Sequence, residues 1–157
     1  PKYAATHEAV CALSTTKRSK FTTQASALGM RFATLVHPTS LVAKSATLGP
    51  GTIVNALCAV GAQVQVGAHV IITRGVLIGH HTRIGDYATL SPGSNIGGCS
   101  EIGEATWVGM GAIVLDHTSV GSHSIVGSGA VVTKDVPSHV QVLGTPARIT
   151  KEGIDGK

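Results

Sequence analysis

The stretch "LIGHHTRIGDYATL", Leu77 to Leu90, carries the spacing that decides the fold. Counting in steps of six from Val36 to Val132 meets seventeen residues, and all of them are Val, Leu or Ile. The position four residues after each is small or β-branched in all seventeen hexads, and Gly directly follows the aliphatic residue in ten of them. An α-helix cannot keep a six-residue repeat on one face, because its period is 3.6 residues.

A short strand explains the repeat. The small residue and the next aliphatic residue are two positions apart, so both point inward from an extended segment. The Gly and the two residues after it are expected to form the turn, where Gly tolerates positive φ. Such repeats bury a core only by stacking, which is typical of a parallel β-helix. The sequence predicts this β-helix from about Val36 to Pro137, and the periodicity leaves the number of sides and the handedness open.

The composition narrows the class of protein. The chain has 157 residues, 43% of them hydrophobic and 13% charged, which indicates a globular protein with one core. The net charge of +4 is scattered, and no basic stripe with interleaved aromatics predicts a nucleic-acid partner. Three cysteines without CxxC spacing favour a reducing, cytoplasmic location. No secretory leader is recognised, and no apolar window is long enough to predict membrane insertion.

The segment before the repeat predicts one βα unit with a return strand. Its expected parts are a buried strand at Ala9 to Leu13, an N-cap at Ser14 or Thr15, a helix from Thr16 to Leu28 closed by Gly29, and a strand from Phe32 to Val36. The predicted organisation is therefore a βα segment over residues 1–35, the β-helix over 36–137 and a C-terminal extension over 138–157.

Four motifs, "FATLVHPTS", "GHHTRIGDYATLSPGSNIGG", "GSGAVVTKDVP" and "VLGTPARI", resemble the sialic-acid O-acetyltransferase-like proteins and the nucleotide 4-amino-sugar N-acetyltransferases. The likeness runs from about residue 9 to residue 150. It implies a left-handed β-helix with three hexads in each coil, hence between five and six coils. It also implies a homotrimer that uses acetyl-CoA, without a metal, to acetylate a nucleotide-linked amino sugar for surface glycan biosynthesis.

The resemblance gives the amino-terminal segment a role as well. In that family the segment closes a Rossmann-like domain that holds the nucleotide-sugar. The glycine-rich first turn of that domain has no counterpart in this sequence. Leu13 and Ser14 stand where relatives usually carry Gly and a small polar residue. We therefore expect residues 1–35 to be a truncated remnant with an incomplete nucleotide-sugar pocket.

The same resemblance implies three catalytic positions. His80 matches a histidine general base, and His81 matches a residue that orients the base and is commonly Asp or Glu. Gly98, eighteen residues after His80, matches a backbone N–H donor to the oxyanion. An imidazole suits removal of a proton from an attacking amine, and His80 falls at an outward turn after Ile78. The pair Gly97-Gly98 leaves open whether Gly98 serves only the turn.

The expected reaction is a direct transfer, because no Ser or Cys is recognised in the sequence as a nucleophile beside His80. For acetyl-CoA the resemblance implies contacts from Thr89, Met110 and Ser128, with Arg148 near the nucleotide phosphates. Thr89 departs from a histidine that many relatives carry. The simpler interpretation of the other three positions is an exposed Met, a turn Ser and a solvated Arg.

Three alternatives stay open from the sequence. A sugar hydroxyl, rather than an amine, is the acceptor in the first. In the second, a column of His81, Cys99 and His117 binds zinc. The γ-class carbonic anhydrases also place two histidines 36 residues apart, and His123 is the candidate third ligand here. The third alternative is a non-catalytic β-helix scaffold.

Overall fold

The computed structural model describes residues 3–157 and shows a triangular coil of short strands. Each strand pairs in parallel with the strand that lies one coil further on, so that Leu77 lies opposite both Ala59 and Asn95. Three strands and eighteen residues therefore make one coil. The chain forms a left-handed β-helix of about six turns, which confirms the predicted fold class.

The strands of the coil are two residues long and recur every six residues. They are β3 Leu35–Val36, β4 Leu41–Val42, β5 Thr47–Leu48, β6 Ile53–Val54, β7 Ala59–Val60, β8 Gln65–Val66, β9 Ile71–Ile72, β10 Leu77–Ile78, β11 Arg83–Ile84, β12 Thr89–Leu90, β13 Asn95–Ile96, β14 Glu101–Ile102, β15 Trp107–Val108, β16 Ile113–Val114, β17 Ser119–Val120, β18 Ile125–Val126 and β19 Val131–Val132. They form three parallel sheets, one per face: six strands from β4 to β19, five from β5 to β17, and six from β3 to β18, the last of which the carboxyl-terminal hairpin extends to eight strands.

The core is a set of stacked aliphatic side chains. Ile72, Leu90 and Val108 come from successive coils of the eight-stranded sheet, and none of them has any exposed surface. The small residues at the bends include hydroxyls that satisfy backbone groups inside this core. Thr82, for example, donates to the Gly97 carbonyl at 3.0 Å. The coil can thus bury polar residues at its bends without leaving those carbonyls unpaired.

The glycine after each aliphatic residue has a different role from the one predicted. The positive φ angles fall two positions later, at residues such as His81 (57°) and Cys99 (56°). The repeat glycines instead lie against the backbone of the next coil. A Cβ on Gly61 would lie 2.8 Å from the amide nitrogen of His80, and one on Gly85 would lie 2.5 Å from that of Glu104. The repeat selects Gly because the stacked turns leave no room for a side chain.

The three edges of the prism differ in the residues that their turns carry. The histidine edge contains residues 80–81, 98–99 and 116–117. The glycine edge contains residues 74–75, 92–93, 110–111 and 128–129. The docking edge contains residues 68–69, 86–87, 104–105 and 122–123, and it holds the amino-terminal segment.

The amino-terminal segment forms the predicted βαβ unit with shifted bounds. Strand β1, Glu8–Ala9, pairs in parallel with β2, Arg31–Phe32. Between them lie a 3₁₀ turn at Thr16–Arg18 and helix α1 at Ser19–Ala27. Thr15 is the N-cap, because its side chain accepts from the Lys17 N–H.

The predicted strand from Phe32 to Val36 is two strands, and this part of the prediction is wrong. The Ala33 N–H still donates to the Ala9 carbonyl, whereas the Leu35 N–H donates to the Thr52 carbonyl in the next coil. The chain therefore changes partners between β2 and β3. The predicted first strand, Ala9 to Leu13, is also displaced, since β1 ends at Ala9.

Arg18 anchors this segment to the docking edge. Its guanidinium is fully buried and donates to the carbonyls of His69 and Tyr87 at 2.8 Å and of Ala88 at 2.7 Å. It also donates to the Thr89 hydroxyl at 2.9 Å. Burial lowers the pKa of Arg18 to about 10, so the side chain stays charged at neutral pH and supports charge-assisted hydrogen bonds.

The carboxyl-terminal residues also contact the amino-terminal segment at the docking edge. Strands β20, Val140–Leu143, and β21, Arg148–Glu152, form an antiparallel hairpin beside β18. The tail then crosses to the docking edge, where the Thr16 N–H donates to the Lys157 carbonyl at 2.9 Å. In the described part of the chain, no helix combines the length and apolar character needed to cross a membrane.

Candidate active site

Two adjacent histidines stand on the exposed turn after β10. The Nδ1 atoms of His80 and His81 are 3.0 Å apart, and the two rings are nearly perpendicular at 87°. Since His81 adopts positive φ, the turn brings its ring back toward that of its neighbour. The short Nδ1 to Nδ1 distance requires one ring to donate and the other to accept.

Gly98 lies next to the His80 ring in the following coil. The Cys99 N–H donates to the His80 carbonyl at 2.8 Å, which fixes the two turns in register. A Cβ on Gly98 would lie 3.1 Å from both Nε2 and Cε1 of His80. A Cβ on Gly97 would instead clash with the backbone of Asp116. The two glycines therefore differ: Gly97 is required by coil stacking, whereas Gly98 leaves space in front of the His80 ring.

The Gly98 amide is available as a donor. Within residues 3–157 its N–H has no hydrogen-bond acceptor. Equivalent amides on the docking edge are covered by side chains of the next coil: the Ala68 N–H donates to Asp86 at 2.7 Å, and the Glu104 N–H donates to Ser122 at 3.1 Å. The Gly98 N–H thus lies uncovered beside an imidazole nitrogen.

Cys99 also contacts His80, a contact that the sequence did not indicate. The distance from Cys99 Sγ to His80 Nδ1 is 3.9 Å. The two residues are nineteen positions apart, one coil plus one residue, so the contact depends on coil stacking. The thiol faces Nδ1, whereas Gly98 lies against Nε2 and Cε1, so His80 has different neighbours on its two sides.

A polar cavity of about 300 Å³ adjoins the histidine edge on the five-stranded face. His81 and Cys99 form part of its wall. The outward side chains of three neighbouring strands, Gln65, Arg83 and Glu101, form another part. The cavity thus offers a positive charge, a negative charge and an amide, which suit a polar ligand with hydroxyl, phosphate or amine groups.

The residues expected to contact acetyl-CoA are not brought beside His80. Met110 and Ser128 share the glycine edge, one coil apart, and both are exposed. Arg148 lies in the terminal hairpin, where it is exposed and donates to the Ala147 carbonyl at 2.8 Å. Thr89 is buried, and its hydroxyl accepts from Arg18. Its side chain cannot reach a ligand without leaving that anchor, so any Thr89 contact would come from its backbone.

The zinc column of the anhydrase alternative does not form. His123 lies on the docking edge, where its Nδ1 is 2.9 Å from an Asp155 carboxylate oxygen. It therefore cannot complete a site with His81 and His117 on the histidine edge. Among residues 3–157, the one group of three side chains with metal-ligand geometry is His80, His81 and Cys99.

Similarity to known proteins assigns this chain to a family. A model described as bacterial transferase hexapeptide (six repeats) matches residues 99–134. PerB from Caulobacter crescentus, solved in complex with CoA and GDP-perosamine, is 33% identical with a TM-score of 0.89, over 90% of this chain and 69% of that one. The acetyltransferase domain of PglB from Neisseria gonorrhoeae, solved with acetyl coenzyme A, is 30% identical with a TM-score of 0.90, over 93% and 72%.

A third solved structure, WeeI from Acinetobacter baumannii, is 27% identical with a TM-score of 0.86, over 89% of this chain and 69% of that one. No curated protein matches the sequence significantly. The coil and these similarities define the chain as a hexapeptide-repeat acyltransferase. Within that class it belongs to the family of the nucleotide amino-sugar N-acetyltransferases and sialic-acid O-acetyltransferase-like proteins, and acetyl-CoA is its co-substrate.

Proposed function

We propose that this protein transfers the acetyl group of acetyl-CoA to the amine of a nucleotide-linked amino sugar, with His80 as the general base. The observation that carries the proposal is the position of His80 between an orienting ring and an open backbone amide. His81 contacts its Nδ1, and Gly98 lies against its Nε2. PerB, a relative at 33% identity, was solved with GDP-perosamine and CoA together.

In the proposed mechanism, the contact between the two histidines holds the base in the tautomer whose free nitrogen is Nε2. The His80 Nδ1–H donates to the His81 Nδ1, which leaves a lone pair on His80 Nε2. A neutral His81 can thus orient His80, although it gives the imidazolium less electrostatic support than a carboxylate would. His81 thereby takes the place of the acidic residue that is common in the family.

The reaction then proceeds in one addition and one elimination. The sugar nitrogen attacks the thioester carbonyl carbon, and its surplus proton passes to His80 Nε2. The Gly98 N–H stabilises the tetrahedral oxyanion, a contribution of about 10²–10³ in rate for one such donor. The carbon–sulfur bond breaks, CoA leaves as a thiolate, and the proton returns from His80 to solvent or to the thiolate.

Transfer is direct, and Cys99 carries no acetyl group in this scheme. Its sulfur lies on the Nδ1 side of His80, where the proton donated to His81 already resides. The nitrogen that accepts a proton lies on the other side, toward Gly98.

The donor site spans two copies of the chain. Met110 and Ser128 share an edge on which Gly93, Gly111 and Gly129 adopt positive φ with open space at the Cβ position. A pantetheine arm can therefore approach the backbone of this edge closely. His80 lies on another edge. One acetyl-CoA can therefore contact both the Met110 and Ser128 edge and His80 only when the glycine edge of one copy faces the histidine edge of the next. A heterologous contact of this kind forms a closed ring when its rotation closes, and the proposed arrangement is the homotrimer that the family resemblance implies.

The test is CoA release, followed by chromatography of the products, with acetyl-CoA and a panel of GDP- and UDP-linked 4-amino sugars. We expect one sugar to be N-acetylated and His80→Ala to lower kcat by at least about a hundredfold. His117→Ala is the matched control, because it removes an exposed histidine from the same edge two turns further along. Equal activity of His80→Ala and wild type would refute the proposal.

Cys99→Ala separates direct transfer from an acetyl-cysteine intermediate. Direct transfer predicts that this variant keeps wild-type kcat and that no acetylated protein accumulates with acetyl-CoA alone. An intermediate on Cys99 would abolish turnover in the variant, and intact-protein mass spectrometry would detect the acetyl group in the wild type.

A further inference from the structure

The cluster of His80, His81 and Cys99 has a geometry that the acetyl transfer does not use. The same atom, His80 Nδ1, lies 3.0 Å from His81 Nδ1 and 3.9 Å from Cys99 Sγ. All three ligand atoms lie within 4.8 Å of one another. A thiol, which transfer does not need, thus points at the nitrogen of His80 that faces away from the oxyanion donor.

We propose that these three side chains form an inhibitory binding site for zinc or a similar soft divalent cation. A tetrahedral zinc with bonds of about 2.0 Å to nitrogen and about 2.3 Å to sulfur separates its ligand atoms by about 3.3 Å for two nitrogens and about 3.6 Å for nitrogen and sulfur. The two separations that involve His80 Nδ1 differ from these by a few tenths of an ångström, and the third pair of ligand atoms lies within 4.8 Å, so side-chain rotations bring the three atoms to a common ion.

The backbone holds the three ligands in place. His81 and Cys99 occupy equivalent turn positions in successive coils and share positive φ angles of 57° and 56°. The hydrogen bond from the Cys99 N–H to the His80 carbonyl locks the two turns together. The ion would have three protein ligands and one open position, because the cluster is exposed to solvent on its outer side. A water molecule can take that position.

Metal binding stops the general base through its tautomer. A neutral imidazole carries one proton, so an ion on His80 Nδ1 moves that proton to Nε2. Nε2 then has no lone pair with which to accept a proton from the sugar amine. The Cys99 thiol loses its proton to solvent as it becomes a thiolate ligand, and no oxidation or reduction takes place. The inhibitory step rests on the proposed function, whereas binding of the ion does not.

Cobalt reports the site without any enzyme assay. Added to the reduced, chelator-free protein, Co²⁺ is expected to give a sulfur-to-cobalt charge-transfer band in the near ultraviolet, together with visible bands of a tetrahedral ion. Cys99→Ala is expected to lose the charge-transfer band. Cys11→Ser is the matched control, since Cys11 lies in the amino-terminal segment, and it is expected to keep the band.

Zinc inhibition of acetyl transfer is the second arm. We expect Zn²⁺ to inhibit the wild-type protein reversibly, with recovery on addition of EDTA. Because loss of a single outer-shell partner already costs about 10–100-fold in metal affinity, Cys99→Ala should need at least about a hundredfold more Zn²⁺ for half inhibition. Both proteins should have the same activity without metal.

The outcomes separate the two proposals. A cobalt band that persists in Cys99→Ala, or no binding of Co²⁺ by the wild type, would overturn the metal site while leaving the role of His80 intact. A band that depends on Cys99 in a protein without acetyltransferase activity would support the site and refute the proposed function. Zinc inhibition of equal strength in both proteins would place the inhibitory ion elsewhere.

Discussion

Gly98→Ala is expected to separate catalysis from folding at this site. The new methyl group would lie 3.1 Å from His80 Nε2 and Cε1, whereas ordinary contacts of this kind begin at about 3.4 Å. The His80 ring must therefore move by at least about 0.3 Å, and the methyl group also narrows the approach to the Gly98 N–H. Since a displacement of about 1 Å can cost about a hundredfold in rate, we expect kcat/KM to fall by about tenfold, equivalent to about 1.4 kcal/mol.

The stability of the Gly98→Ala protein should not fall. Gly98 does not adopt positive φ, and the atoms closest to the new methyl group belong to a side chain on an exposed turn. Replacing Gly by Ala at such a position stabilises a protein by about 0.4–1 kcal/mol, which raises Tm by about 1–4 °C for a chain of this size.

The assay combines steady-state kinetics with thermal unfolding followed by circular dichroism. Asp116→Ala is the control, because Asp116 occupies the same place in the next coil and its side chain is exposed. Wild-type kcat/KM in Gly98→Ala would refute the placement of the reacting atoms between His80 and Gly98. A large fall in Tm would instead attribute any loss of activity to disturbed folding.

The remaining predictions concern the subunit arrangement and the docking edge. If the donor site spans two copies, His80→Ala mixed with Ser128→Trp should recover about a quarter of wild-type activity after random assortment into rings, and no recovery would place the whole site in one chain. Arg18→Met leaves the carbonyls of Thr15, His69 and Tyr87 without their donor and should weaken docking of the amino-terminal segment by at least about 1–3 kcal/mol; hydrogen exchange should accelerate in residues 16–34, with Arg74→Met as the exposed control. Burial and the nearby Arg18 charge lower the pKa of His69, so the unfolded chain takes up this proton first and the free energy of unfolding should fall as the pH drops below about 6.5. His69→Gln should flatten that dependence in denaturant titrations, and an unchanged slope would contradict the assignment.

The contacts of the candidate site divide between those that the sequence alone could give and those that needed coordinates. The turn position of His80 followed from its distance to Ile78, whereas its place in the same column as Gly98 also needed the eighteen-residue coil that the family resemblance implies. The role of Gly97 did not follow, because the clash of a side chain there with Asp116 depends on how tightly two turns stack. The contact between Cys99 and His80 was likewise missed, although residues one coil plus one position apart are the pairs to examine in such a repeat.

The sequence by itself determined the β-helix, since seventeen aliphatic residues at six-residue intervals can be buried together only by stacked short strands. It also placed His80 on an outward turn, because the position of a residue within its hexad follows from counting. Only the tertiary structure decided the atomic contacts at each turn. It showed which nitrogen of His80 faces Gly98 and which faces His81 and Cys99. It also showed that the Thr89 hydroxyl accepts a hydrogen bond from Arg18. The physical reason is that a repeat fixes the path of the backbone, whereas ring orientation and the docking of a segment outside the repeat depend on contacts between residues far apart in the chain.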